Sequence, residues 1–550
     1  MKVRLIKNLT FFLFAFNCVQ AEDWPTWRHD VGRTGATLEA LPSSLHLQWT
    51  LKLPPLVPAY KDPRLQFDKG YEPIVTNGKL IVGSSWTDSV TAYDAVTGEQ
   101  VWRFLAEGPI RFAPAALDGC VFVGSDDGFL YCLQTDTGKL LWKFRGVPST
   151  RKVLGNGRMI SLWPVRGGPV AKEGKVWFAA GVWPMEGVFV HCLDSTTGKS
   201  IWINDRCGFI YGIQPHNAKA TGGLAPQGYL LLDGDDLIVP SSVAFPARFD
   251  AATGKLKEFE LPSQGRLPGG WFASTPSEKE QQRLQRRGLL FDSEVNKRRH
   301  EDKVMESGQP GIRSTIEMAG QDFRFSKGIA GVTGEIHQAL VANGRLYVVT
   351  MDGEIHCLGT ATGAAKIHQS NPSRGWSVGK NILVADILNS TQFRQGYGLV
   401  LGMSENWLGL VENSSARLVG IGLPDTANAF RKKLNESGFT AEKVGILTGN
   451  PIDLGLPRYF ANLIVADATS GITWTQDSLT EVYASLRPYG GSLCVPGTAP
   501  YRAAFRAAVK ASKLPGARLS EGKGFTLLKK TGALPGATNY LGKWENSSDE

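Results

Sequence analysis

The chain has 550 residues, 63 of them glycine and 30 proline, and a formal net charge of +9. Glycine and proline make it turn-rich without reaching the level of low-complexity chains, and 42% hydrophobic residues suffice for packed cores. Wholesale disorder, a collagen-like chain and a coiled coil are excluded, and the length exceeds what one core serves.

In chain order, the first 21 residues read as a secretion signal. Lys2, Arg4 and Lys7 form a basic start, Leu9 to Val19 is mostly apolar, and Val19-Gln20-Ala21 supplies the cleavage positions. The apolar stretch is too short to span a bilayer, and no later segment is long and apolar enough to do so. The expected product is exported, periplasmic or extracellular, with no transmembrane segment. Loss of the three signal cations leaves +6, too mild to argue for a nucleic-acid partner.

The next feature is a repeat. Residues 74–104 and 114–144 align on Thr-Gly, with Gly98 and Gly138 40 apart and Trp102 and Trp142 equally spaced. A third copy, 169–202, ends at Gly198 and Trp202. A fourth, 226–258, keeps Thr253-Gly254 but has Glu258 in place of tryptophan, and a fifth spans 340–363. Asn77-Gly78, Asp118-Gly119 and Asn343-Gly344 supply tight turns between alternating strands, and Thr-Gly makes another. Four short strands per copy make the blade of an all-β propeller. Ala92, Cys132, Cys192 and Cys357 share one position, six residues before the glycine, which predicts a small buried side chain there. Cys120, Cys207 and Cys494 complete the cysteines after the signal, and none of them is spaced as a haem, zinc or redox motif. The eight histidines are scattered, without HExxH, and there is no GxSxG. A charged stretch at about 274–310, with Arg283, Arg286 and Arg287 among interleaved acids, reads as a solvated insertion.

The runs ending at Trp102, Trp142 and Trp202, and the opening Asp23-Trp24-Pro25-Thr26-Trp27-Arg28-His29-Asp30 with Arg33-Thr34-Gly35, resemble the pyrroloquinoline-quinone-like repeat family of bacterial exported proteins. The resemblance covers about residues 23–365. It implies a propeller of four-stranded blades and leaves function open, since relatives serve in envelope protein assembly as well as in oxidation. The quinone dehydrogenases of this superfamily use an adjacent-cysteine disulfide, a tryptophan floor and a calcium site. This chain has no Cys-Cys dipeptide, so quinone-linked oxidation stands as an alternative and no metal ligands are assigned.

From 366 to about 531 strand and helix signals alternate. Strands are expected at 397–401, 418–423, 444–447, 461–466, 492–495 and 525–528. Helices are expected at 407–412, from an Asp425 cap through Ser437, at 479–486 and at 501–512. Alternation of this kind predicts an inserted, doubly wound, Rossmann-like α/β domain. The order resembles class I S-adenosylmethionine methyltransferases. That resemblance implies a cofactor loop at Gly402 to Asn406 with Ser404, a ribose carboxylate near Asp425, an adenine contact near Asn450, and Asp467 after the fourth strand. The loop keeps one glycine of several, and Asp425 falls about three residues late, so the site reads as degenerate.

The expectation is therefore a binding or scaffold protein with a protein or envelope component as partner and no assigned catalytic residue. S-adenosylmethionine-dependent methyl transfer is the first alternative and quinone-dependent oxidation the second. Residues 532–550 read as a return to the propeller, and five blade hairpins suggest a truncated propeller or an open arc.

Overall fold

The Asn-Gly and Asp-Gly pairs form the turns they predict. Asn77 and Gly78 have φ of 48° and 67°, Asp118 and Gly119 49° and 76°, and Asn343 and Gly344 54° and 74°, the paired left-handed conformation that joins twisted strands. The computed structural model describes residues 22–56, 58–60, 67–213, 219–241, 244–259, 315–325, 328–369, 381–404 and 407–537. The expected signal and the charged insertion lie outside these residues, as does the tail beyond 537.

Four blades are four-stranded antiparallel sheets within residues 74–105, 115–145, 167–204 and 231–258, the third extended by a short parallel strand, Gly228–Tyr229. A fifth is built from Ile336–Ala342, Arg345–Thr350 and Glu354–Gly359, completed from the other end of the chain by His46–Lys52. Lys366–Gln369 then pairs parallel with His46–Lys52 as an added outer strand. A three-stranded sheet of Ala36–Thr37, Thr315–Met318 and Gln321–Arg324 packs against the fifth blade through Ile316.

Tryptophan joins the blades. A Cβ on Gly98, Gly138, Gly198 or Gly254 would lie 2.8, 2.5, 2.6 or 2.3 Å from the rings of Trp49, Trp102, Trp142 and Trp202, respectively. Each Thr-Gly turn therefore serves two needs, a left-handed φ and a flat seat for the indole of the preceding blade. The indoles of Trp102, Trp142 and Trp202 donate to Thr135 O, Ser195 O and Ala251 O at 2.9, 3.2 and 3.1 Å. The small position lies across the strand pair from the same ring: Ala92, Cys132, Cys192 and Cys357 stand opposite Trp102, Trp142, Trp202 and Trp49, and all four are fully buried. Burial pushes the Cys192 and Cys357 thiols up to about 12, as suits cysteines that act as packing.

The fifth blade meets the first. Trp49 seats on Gly98, the Tyr347 hydroxyl donates to Ala95 O at 3.0 Å, and His368 Nε2 lies 2.8 Å from Thr97 O. This corrects the expectation of an open seam between first and last blades. The strand that closes it comes from residues 46–52, outside the five copies recognised by alignment.

The α/β domain has seven strands: β1 (Tyr397–Leu401), β2 (Arg417–Gly422), β3 (Val444–Thr448), β4 (Leu463–Ala466), β5 (Ser492–Pro496), β6 (Ala517–Glu521) and β7 (Phe525–Lys530). Their order is 3-2-1-4-5-7-6, parallel except for β7, which runs antiparallel to both β5 and β6. Helices α1 (Ile382–Thr391), α2 (Leu408–Glu412), α3 (Pro424–Glu436), α4 (Gln476–Ala484) and α5 (Ala499–Ser512) cover the sheet with two apolar layers. The domain packs on the propeller face. Lys152 N donates to Gly455 O at 2.9 Å, Arg103 Nη1 to Asn435 Oδ1 at 2.9 Å, and Thr448 N to Glu107 Oε2 at 3.1 Å. Met159 of the propeller joins the α/β core.

Candidate functional site

In an open parallel sheet, ligands bind beyond the carboxyl ends of the strands, where the order reverses. Here that point lies between β1 and β4, and two expected residues meet there, Gly402 and Asp467. Gly402 has φ +105°, and a Cβ on it would lie 2.5 Å from both Asp467 Oδ1 and Thr469 Oγ1. The glycine is thus required by the approach of the β4 turn, whatever else approaches it.

The Asp467 carboxylate is engaged from both sides. Oδ1 accepts from Thr469 N at 2.8 Å, capping a short 3-10 turn at 468–470, and Oδ2 accepts from Trp407 Nε1 at 2.9 Å. Beside it is an apolar recess lined by Val400, Gly402, Met403, Trp407, Phe430 and Ile446, with Ser404 at its rim. Met403 lies across the end of β2. Its Cε stands 2.8 Å from where a Cβ of Gly420 would be, and its Cγ 2.5 Å from the corresponding point on Gly422. The two glycines that end β2 make room for this side chain.

The other two expected residues stand outside the recess. Asp425 is exposed in the first turn of α3, whose N-cap is Leu423 with no side-chain cap, so Asp425 does not cap the helix as anticipated. Asn450 is exposed, and its side-chain oxygen accepts from Ile452 N at 3.2 Å in a local turn. Glu405 and Asn406 lie outside the described residues. Of the expected site residues, Asp467 is thus held by Trp407 and Thr469, while Asp425 and Asn450 are turned to solvent.

The second place to look is the propeller interior. The connections leading into the first three blades bring together Asp68, Arg111 and Arg166, and the 124–129 turn of the second blade adds Asp126; all four side chains are buried. Arg166 Nε and Nη2 donate to the two Asp126 oxygens, each at 2.9 Å, and Arg111 Nε donates to Oδ2 at 2.7 Å. Arg111 also binds Asp68, whose carboxylate accepts from Ala59 N at 3.0 Å. Burial alone would raise the Asp126 carboxyl, but Arg166 and Arg111 outweigh it and hold it at about 2. Around these ions, Phe67 stacks on Phe112 at 5.2 Å and Trp27 on Tyr229 at 4.3 Å.

The opening motif belongs to the same packing. Arg33 is fully buried, donating to Leu230 O and Pro169 O at 2.9 Å each and to Trp27 O at 3.2 Å, which straps the amino-terminal segment across the third and fourth blades. Among the described residues no three His, Cys, Asp or Glu side chains converge as a metal set.

Residues 25–202 match the family described as outer membrane protein assembly factor BamB, a PQQ-like repeat family. A curated relative, the dehydrogenase subunit of a quinone alcohol dehydrogenase from Gluconobacter oxydans, is 31% identical over 153 residues, 25% of this chain and 19% of the relative. The chain thus aligns with about a fifth of that relative's length. Among solved structures, quinohemoprotein alcohol dehydrogenase from Comamonas testosteroni gives a TM-score of 0.34 at 21% identity, covering 44% of this chain and 42% of that one. A protein from Methanococcus maripaludis assigned as an S-adenosyl-L-methionine-dependent methyltransferase gives 0.24 at 14% identity, over 28% of this chain and 86% of that one. Residues 25–202 are thus similar to PQQ-like repeat proteins, and about a quarter of the chain is similar in sequence to a quinoprotein alcohol dehydrogenase subunit. Among the described residues no helix is long and apolar enough to cross a membrane.

Proposed function

We propose that this chain is an exported propeller that works by binding a protein or another envelope component, with its α/β domain serving as a packed structural unit. The observation that carries this reading is Met403, which lies over Gly420 and Gly422 where a nucleoside would enter, beside an Asp467 already held by Trp407 and Thr469. The parallel, doubly wound sheet supports descent from a cofactor-binding fold, and the placement of Met403 over the end of β2 supports loss of that role.

Calorimetric titration of S-adenosylmethionine into the mature chain should give no saturable heat. Micromolar binding would overturn the reading and restore methyl transfer, with Gly402, Ser404, Asp425, Asn450 and Asp467 as its site. On the proposed reading Gly402→Glu lowers stability alone, because its side chain runs into the β4 turn.

A second reading, quinone-linked oxidation, is favoured by the relationship to the Gluconobacter oxydans subunit. Pyrroloquinoline quinone added with calcium should neither bind nor support dye-linked oxidation of alcohols. Calcium-dependent binding and turnover would replace the binding reading with this one.

A further inference from the structure

The outer strand of a blade presents a row of unpaired backbone N–H and C=O groups, which sheets protect with charge or with a cover. Among the described residues, four of the five four-stranded blades do so. The outer strand of the first, Gln100–Leu105, carries Arg103; that of the second, Leu140–Arg145, carries Lys143 and Arg145; that of the fourth, Leu256–Glu258, carries Lys257 and Glu258. The fifth is covered by Lys366–Gln369, which pairs with Trp49 through Lys52.

The third blade has neither device. Its outer strand, Ser200–Asn204, reads Ser-Ile-Trp-Ile-Asn, and among the described residues no strand pairs with its outer side. Ile201 and Ile203 are 48% and 51% exposed. The position after the tryptophan shows the contrast directly: Thr50, in the covered fifth blade, is 5% exposed, whereas Ile203 is half exposed. In the first and second blades that position holds Arg103 and Lys143.

The occupant follows from symmetry. When two identical edges pair antiparallel about a two-fold axis, the residue on the axis meets its own copy. With the axis at the position after the tryptophan, the second blade would set Lys143 against itself, a like-charge pair that opposes association, while in the first Arg103 is held by Asn435 of the α/β domain; the third sets Ile203 against Ile203. Pairing there also avoids the bulge that lies between Ser200 and Trp202; the strand covering the fifth blade likewise begins its pairing at Trp49, past the irregularity between Leu47 and Trp49.

We propose that the outer edge of the third blade is a self-association surface at which two copies of this chain pair antiparallel through residues 202–204, with Ile203 on the two-fold axis. Sedimentation velocity of the mature chain over a wide concentration range should show a reversible dimer. Ile203→Lys should be monomeric throughout with an unchanged melting temperature, since the side chain is half exposed. Ile203→Cys should yield a disulfide-linked dimer under air, mapped by mass spectrometry to position 203 of both copies, while the native chain gives none. A monomer at every concentration overturns the proposal. So does a dimer that survives Ile203→Lys, which would place the contact on another surface, and so does an Ile203→Cys chain that dimerises without cross-linking.

Discussion

Trp49→Ala should open the ring at its closing seam and cost roughly 3–5 kcal/mol, the scale for deleting a fully buried aromatic side chain. Trp49 is 1% exposed, the most buried of the four indoles that join blades. The strand that bears it comes from the opposite end of the propeller sequence from the strands it completes. Hydrogen exchange should locate the loss in residues 46–52 and 354–359 and leave the α/β domain protected. Trp49→Phe should cost far less. The Trp49 indole nitrogen has no partner among the described residues, since the equivalent carbonyl, Ala95 O, is taken by Tyr347. Trp102→Phe, by contrast, gives up a real hydrogen bond to Thr135 O and should lose about 1 kcal/mol more than Trp49→Phe. Denaturation midpoints of the three variants check the order, and a Trp49→Ala chain within about 1 kcal/mol of the parent on that scale would show that the seam is held elsewhere.

The same tryptophan marks where sequence reading stopped. The five repeat copies were visible because Asn-Gly, Thr-Gly and tryptophan recur at fixed spacing, and each has one local cause: a left-handed turn or a flat ring on a glycine. The fifth copy lacked its outer strand. Leu47-Gln48-Trp49-Thr50-Leu51 has the texture of Leu140-Leu141-Trp142-Lys143-Phe144, but it lies some 300 residues away from the strand it completes. Periodicity along the chain is blind to pairing between its two ends. A search for an unmatched tryptophan strand ahead of the first copy would have found it.

The α/β domain is readable as alternating elements. Strand boundaries fell within a few residues because β1 to β5 are apolar runs between turns, whereas α1 and the exposed strand β6 gave no comparable signal. At the crevice a motif reading assigns Gly402 to a ligand, and in the structure the turn after β4 approaches it closely; both need a residue without a Cβ, so the residue type cannot choose between them. Likewise Gly420 and Gly422 look like a loosened motif, and what they make room for is Met403, a flexible side chain whose placement no local pattern announces. The buried ions were hidden for a related reason. No local pattern marks Asp126, because Arg111 and Arg166 reach it from connections into the second and third blades.

Those ions set the second large effect. Asp126→Asn should cost about 3–5 kcal/mol, because it leaves Arg166 buried without a carboxylate and Arg111 with Asp68 alone. The pairing is not itself a large source of stability, since desolvation of three or four ions offsets much of their attraction. Asp126→Leu combined with Arg166→Met should therefore lose less than the sum of the single changes. The pH dependence follows from the direction of the shift. Held at about 2 in the fold and near the usual carboxylate value when unfolded, Asp126 contributes its full stabilisation above about pH 4 and loses it as the pH falls towards 2. That loss amounts to about 2–3 kcal/mol. Asp126→Asn removes the titrating group, so its unfolding midpoint should fall less steeply over the same interval. Parallel acid titrations of the parent and Asp126→Asn, followed by urea unfolding, measure both quantities. Equal slopes would show that the carboxylate is not the acid-sensitive link in the propeller interior.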